Sequence, residues 1–216
     1  MNILITRPLI ESEDLMGKLF SLGHKITYMP TLRILPIKTE LLDLKNYDAL
    51  IFTSANAIRN LKNINPDKNK LCFCVGLITE KIARKTGYNN TMSAGGTVNA
   101  LKNLIINANQ INQKSKIAYI CGEFLSSNLD LELKKEGFNV KKIINYTSEK
   151  ITDLNAENKK IVSSHPPDII FVYSTRSAQS FVEIVKNYSL HHLMTESKVM
   201  CISEKVAGIF KSDGWK

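Results

Sequence analysis

The stretch Tyr47–Asn60, YDALIFTSANAIRN, constrains this chain more than any other. Ala49 to Phe52 is a short, wholly apolar run between Asp48 and the Thr53-Ser54 pair. It is too short for a helix and reads as a strand buried on both faces of a parallel sheet. Ser54 then stands where a helix begins, its hydroxyl suited to cap first-turn N–H groups that lack an intrahelical partner. Strand, polar turn and helix N-terminus together form the place where open α/β sheets hold ligands, and such a helix end favours anions. The same arrangement returns at Pro167–Ala178, PDIIFVYSTRSA, with Asp48 falling on Asp168 and Ser54 on Ser174 without a gap.

Strands alternate with helical patterns along the rest of the chain, which predicts an α/β fold with a parallel sheet. Ile3–Thr6 reads as a strand, followed by a helix closed by Gly23, a strand at Lys25–Met29 and an extended connector from Pro30 to Lys38. Leu71–Val75 reads as a strand with Gly76 at its turn, then a helix closed by Gly87; Met92–Thr97 is a turn leading into a helix that ends near Asn107. Ile117–Ile120 is a strand with Gly122 at its turn, then a helix over Ser127–Lys135 and a strand Val140–Asn145 that ends at Tyr146-Thr147. Ser148–Pro167 is polar, closes in a Pro-Pro pair and reads as a second connector. Strands at Ile169–Tyr173 and Val199–Ile202, with helices over Ala178–Tyr188 and Glu204–Lys211, complete the chain.

These units repeat. Ile3–Gly23 matches Ile117–Gly137 at an offset of 114, the organising strand recurs at 120, and Leu71–Tyr88 matches Lys198–Trp215 at 127. Ordered matches at slowly growing offsets predict two copies of one half. The first half runs on through Gly95-Gly96-Thr97 into another helix, while the second reaches Lys216 with no counterpart for that unit.

With 216 residues, 44% hydrophobic and 23% charged, the chain has the means for one large domain or two ordinary ones. No apolar run approaches the ~18–20 residues of a membrane span. The start, MNILITRPLIESED, has acid where a signal peptide has base, so a soluble, cytoplasmic protein is expected. A net charge of +9 suits nucleic acid, a membrane surface or a small polyanion, or reflects a lysine-rich genome. The lysines are scattered and not interleaved with aromatics, which argues against nucleic acid. Cys72 and Cys74 alternate on one strand face, Cys121 and Cys201 stand apart, and there is no CxxC, so buried reduced thiols rather than a metal site are expected. His24, His165, His191 and His192 fall beside turns or in polar segments, as solvated residues do. Neither GxGxxG nor GxxxxGK[ST] nor GxSxG nor HExxH occurs, so dinucleotide, P-loop, serine-hydrolase and zincin chemistry are not indicated.

What remains is a set of small or hydroxyl-bearing turns at strand ends: Arg7-Pro8, Thr53-Ser54-Ala55-Asn56, Gly76, Gly95-Gly96-Thr97, Gly122, Ser174-Thr175-Arg176 and Ser203. Their backbone N–H groups can approach an anion closely, or the turns serve only as helix caps. Arg7 and Arg176 are either carboxylate binders or surface charges. Tyr146 is a phenol where strand meets connector, placed to pack there or to take part in chemistry.

In this order and spacing the chain resembles the uroporphyrinogen-III synthase family. The resemblance is carried by ILITRP, the helix ending in LG before YMPTLRI, YDALIFTSANAIR, CVGLITEKIARKTGY, SAGGT, ICG, INYTS, DIIFVYSTRSAQSF and VMCISEKVAGIFKSDGW, and it covers essentially the whole chain. It implies two flavodoxin-like parallel-sheet domains joined by a two-stranded connector. Domain 1 is discontinuous, 1–34 and 150–216, with its last strand and helix expected to be missing; domain 2 is 38–147, and 35–37 and 148–149 connect them. It implies a cofactor-free, monomeric, cytoplasmic enzyme of haem biosynthesis that binds a small polyanionic tetrapyrrole substrate between its domains, with no nucleic-acid or membrane partner. The reaction is cyclisation of hydroxymethylbilane with loss of water and inversion of ring D. The substrate's carboxylates are held by amides and hydroxyls, here Arg7, Thr53, Ser54, Ala55, Asn56, Gly76, Gly96, Thr97, Gly122, Ser174, Thr175 and Ser203, while Tyr146 matches the family's cleft tyrosine and serves as general acid. Glu204 departs from the small hydroxyl residues common at its position. A degenerate relative that binds a tetrapyrrole or another anion without turnover is the alternative.

Overall fold

The computed structural model describes residues 1–37, 43–61, 67–194 and 196–215. Lys38, Lys216 and the first residues of the expected 38–147 domain therefore lie outside the described residues. In chain order the first elements are β1 (Asn2–Ile5), α1 (Leu9–Ser21), β2 (Lys25–Tyr28), β3 (Leu32–Pro36), β4 (Ala49–Phe52), α2 (Ala55–Arg59), β5 (Leu71–Cys74), α3 (Leu77–Thr86), β6 (Thr91–Ser93) and α4 (Val98–Ile106). They are followed by β7 (Lys116–Gly122), α5 (Leu129–Lys135), β8 (Asn139–Lys150), α6 (Ala156–Ser164), β9 (Ile169–Val172), α7 (Thr175–Asn187), β10 (Lys198–Cys201) and α8 (Glu204–Ser212).

The chain folds as two compact units, Met1–Arg33 with Glu149–Lys216, and Ile34–Ser148. The first holds a four-stranded sheet in the order β10-β9-β1-β2, parallel throughout. The second is built on a sheet in the order β3-β8-β7-β4-β5-β6, parallel from β8 to β6. The α/β class with parallel sheets is thus observed. In the second unit both faces of the sheet are covered. Ala49, Ile51, Ile117 and Tyr119 join one apolar cluster, while Leu50, Phe52, Ala118 and Ile120 join another. Burying a side chain such as Leu50, Ile51 or Phe52 contributes about 1.5–3 kcal/mol. A charge placed anywhere in this run would face apolar atoms on either side.

The internal repeat is reproduced in the strand registers. Ile3 pairs with Ile169 as Ile117 pairs with Ala49, Asn2 with Lys25 as Lys116 with Asn139, and Ile169 with Lys198 as Ala49 with Leu71. The two aspartates do the same work in each copy. Asp168 accepts from the Asn2 amide at 2.6 Å and Asp48 from the Lys116 amide at 2.7 Å. Their own amides return bonds of 2.8 Å to the Asn2 and Lys116 carbonyls. Asp48 and Asp168 therefore clamp the beginnings of central strands, at the end of the sheet opposite the turns.

The stretch read from Pro30 as extended contains β3, which lies beside β8 in the sheet. Several other expectations are corrected. The polar stretch Ser148–Pro167 contains α6, capped by Asn155 accepting from the Asn158 amide at 2.7 Å; it buries only Val162, so its sequence shows no apolar stripe. β6 is three half-buried residues just before the Gly95-Gly96 pair, too short and polar for a strand pattern. β8 does not end at Tyr146-Thr147 but runs on to Lys150. Gly122 is the last, buried residue of β7 rather than a turn. Cys72, Cys74 and Cys121 are buried free thiols, whereas Cys201 is half-exposed. Among the described residues no helix is long and apolar enough to cross a membrane, and no group of three or more His, Cys, Asp or Glu is arranged to hold a metal ion.

Candidate functional site

Because neighbouring strands are parallel, the turns that follow them emerge at the carboxyl edge of each sheet. In the second unit this edge carries Thr53 to Asn56 after β4, Gly76 after β5, Gly95 to Thr97 after β6, and Gly122 facing Tyr146 at the end of β7. Ser54 is extended (φ −154°, ψ 142°) and caps α2 by accepting from the Asn56 amide at 3.2 Å. Its hydroxyl keeps a proton to donate. Ala55 and Asn56 are buried, and Asn56 Oδ1 accepts from Arg59 at 3.3 Å. Thr53 Oγ1 lies 3.0 Å from the hydroxyl of Tyr119, a buried residue of β7. Burial pushes the Tyr119 phenol well above its ordinary value, and the Thr53 bond opposes this only in part. Tyr119 thus remains a neutral phenol that fixes the Thr53 side chain.

The glycine turns pack backbone on backbone. A Cβ on Gly76 would stand 3.2 Å from the Gly96 Cα, and the Gly96 amide donates to the Val75 carbonyl at 2.6 Å. Gly95 and Gly96 occupy the left-handed region (φ +76° and +112°), which a side chain would disfavour. α3 starts at Gly76 with no side-chain cap, while Thr97 caps α4 by accepting from the Ala100 amide at 3.1 Å. Leu77 and Ile78, the first residues of α3, are exposed apolar side chains beside this uncapped end.

Tyr146 is positioned by an irregularity. Between β7 and β8 the register slips, so that Cys121 pairs with Ile144 but Gly122 pairs with Tyr146. The bulge brings the Tyr146 ring over Gly122, where an added Cβ would stand 2.6–2.9 Å from Cζ, Cε2 and the hydroxyl. The Tyr146 phenol lies within electrostatic reach of Tyr119. Thr53, Tyr119, Gly122 and Tyr146 therefore form one cluster at the ends of β4, β7 and β8.

In the first unit the carboxyl edge carries Arg7, Ser174, Thr175 and Ser203. Arg7 is held by an ion pair with Glu11, and its guanidinium lies 5.0 Å over the Tyr173 ring. Ser174 caps α7 by accepting from the Ser177 amide at 3.0 Å, and Thr175 is that helix's first residue. Ser203 precedes α8, extended and exposed, with its hydroxyl making no cap. Glu204 beside it is exposed and 3.8 Å from Lys211. Tyr119 is not marked by any motif of the sequence; a polar side chain inside the apolar run KIAYICG is the signal that could have found it.

A family model described as uroporphyrinogen-III synthase HemD matches residues 13–216. The chain belongs to the uroporphyrinogen-III synthase family. Solved structures agree in fold. The uroporphyrinogen-III synthetase of Helicobacter pylori is 17% identical with a TM-score of 0.64, covering 99% of this chain and 89% of that one. A mutant uroporphyrinogen III synthase from Thermus thermophilus is 14% identical with a TM-score of 0.56, covering 100% and 90%. No curated protein matches the chain. As a uroporphyrinogen-III synthase family member it is a cyclising lyase of tetrapyrrole biosynthesis.

Proposed function

We propose that this chain, without a cofactor, closes hydroxymethylbilane to uroporphyrinogen III, and that Tyr146 is its general acid. The observation that carries the assignment of Tyr146 is its phenol, seated over Gly122 at the carboxyl edge beside the Tyr119–Thr53 pair. A phenol keeps its proton at neutral pH and can pass it to a departing hydroxyl. The C–O bond at the end of the bilane breaks, water leaves, and the positive charge spreads over the conjugated pyrrole. Attack by the substituted carbon of ring D forms a spiro centre; reopening and closure leave that ring inverted.

The amides and hydroxyls of Thr53, Ser54, Ala55, Asn56, Gly76 and Thr97, with Arg7, Ser174, Thr175 and Ser203, bind the substrate's carboxylates; the Gly96 amide is already given to the Val75 carbonyl, and Gly122 lies buried in the ladder under Tyr146. Amides at uncapped or hydroxyl-capped helix starts suit this task, and the excess of basic residues draws a polyanion in. Most of the catalysis comes from holding a flexible chain in one conformation, because the free bilane closes without inversion. The protein works as a cytoplasmic monomer. Its domains are 1–34 with 150–216, and 38–147. Tyr146→Phe tests the acid: kcat should fall about a hundredfold with the fold intact. Unchanged turnover removes Tyr146 from the chemistry.

A further inference from the structure

Gly122 faces Tyr146 only because β8 carries one residue more than β7 at this point, and that residue is Asn145. A bulge re-aims the side chains beside it, but its extra residue drops out of the ladder and must be held by other means. Asn145 is 1% exposed, so its own polar atoms do the holding. Nδ2 donates to the Ala57 carbonyl of α2 at 2.7 Å, and the main-chain carbonyl accepts from the Ile37 amide at 3.0 Å. Among the described residues none donates to its buried Oδ1. The Ala57 amide in turn donates to the Ser54 carbonyl at 3.1 Å. One side chain therefore ties the strand that bears Tyr146 to the helix that begins at Ser54.

The first unit shows that an asparagine is not what the fold demands here. At the 114-residue offset stands Thr31, fully buried, its amide bonded to the Thr6 carbonyl at 3.0 Å. Its carbonyl is pinned to α7 by the Ser180 hydroxyl at 2.8 Å, and the residue after it is Leu32 rather than a tyrosine.

We propose that Asn145 is a positioning residue for the reaction: by clamping the bulge to Ala57 it sets the place of the Tyr146 phenol relative to the Ser54 turn. The proposal rests on Tyr146 acting in the reaction, and the test separates the two. The variant is Asn145→Thr, the residue used at the equivalent place in the first unit. In protein labelled with 13C on the tyrosine rings, the Tyr146 resonance is identified by its loss in Tyr146→Phe. In Asn145→Thr that resonance should move, and kcat should fall about tenfold with KM held within about twofold. In a Tyr146→Phe background the same substitution should change kcat by less than about twofold, because the residue acts only through the ring. An unmoved resonance, or an equal loss of kcat in both backgrounds, overturns the proposal. If Tyr146→Phe alone turns over normally, the acid assignment fails and Asn145 positions nothing in the reaction, while the resonance still reports whether it sets the ring. Asn145→Ser is read the same way if Asn145→Thr does not fold; failure of both to fold makes Asn145 a requirement of the fold and overturns the proposal.

Discussion

Gly122→Ala should displace the Tyr146 ring and little else. The added Cβ would stand 2.6 Å from Cζ, 2.7 Å from Cε2 and 2.9 Å from the hydroxyl of Tyr146. Carbon atoms in contact rest about 3.5–4.0 Å apart, so the ring must retreat by about 1 Å. The main chain is held in place, because Glu123 donates to the Tyr146 carbonyl at 3.0 Å and Gly122 is part of the β7–β8 ladder. Gly122 does not occupy the left-handed region, so alanine adopts its backbone conformation without strain. A reacting group misplaced by about 1 Å costs up to about a hundredfold in rate. We expect kcat to fall about ten- to a hundredfold, with KM within about twofold and a stability loss of about 1–3 kcal/mol from overpacking. Steady-state conversion of hydroxymethylbilane, followed beside thermal unfolding, reads all three. Wild-type kcat in a folded Gly122→Ala protein whose ring has moved would refute the assignment of Tyr146 as acid.

Three further outcomes follow from the same structure. Asp48→Ala and Asp168→Ala each remove one strand-start clamp and should each lower stability by about 1 kcal/mol in urea unfolding, with kcat unchanged; loss of turnover in either would give that aspartate a chemical role. Tyr119→Phe leaves the Thr53 hydroxyl without its phenol partner and should raise KM a few-fold more than it lowers kcat, which initial-rate measurements would separate. Burial pushes the Cys74 thiol up to about 12 and the Cys121 thiol up to about 11, from an ordinary value of 9.0. The folded chain then holds protons that the unfolded chain releases, so this contribution to stability is complete below about pH 9 and is lost as pH rises through 11 to 12. Urea midpoints should fall across that window, and a flat profile would contradict the burial of these thiols.

Much of the fold was legible because its signals are local. Ala49–Phe52 and Ile169–Val172 announce buried strands by apolar content, and Gly23, Gly87 and Gly137 mark helix ends by left-handed backbone. The repeat offsets hold residue for residue in the strand pairings because register in a buried parallel sheet is fixed by which side chains face the core. The elements missed lack such signals. α6 buries one apolar residue, β6 is three residues long, and β8 runs on through a polar stretch where pairing, not composition, decides. At the site, residue types pointed to anion-ready turns, and the structure shows Ser54, Thr97 and Ser174 in use as caps. The seat of Tyr146 on Gly122 depends on a one-residue slip between strands distant in sequence, and Asn145's bond to Ala57 spans 88 positions. Neither leaves a mark on the neighbouring residues.

Directing ring closure, rather than merely binding a tetrapyrrole, shows in the isomer composition of the product formed from hydroxymethylbilane. Uroporphyrinogen III should dominate when the protein is present. A product composed of the type I isomer alone, at the rate seen without protein, would contradict it.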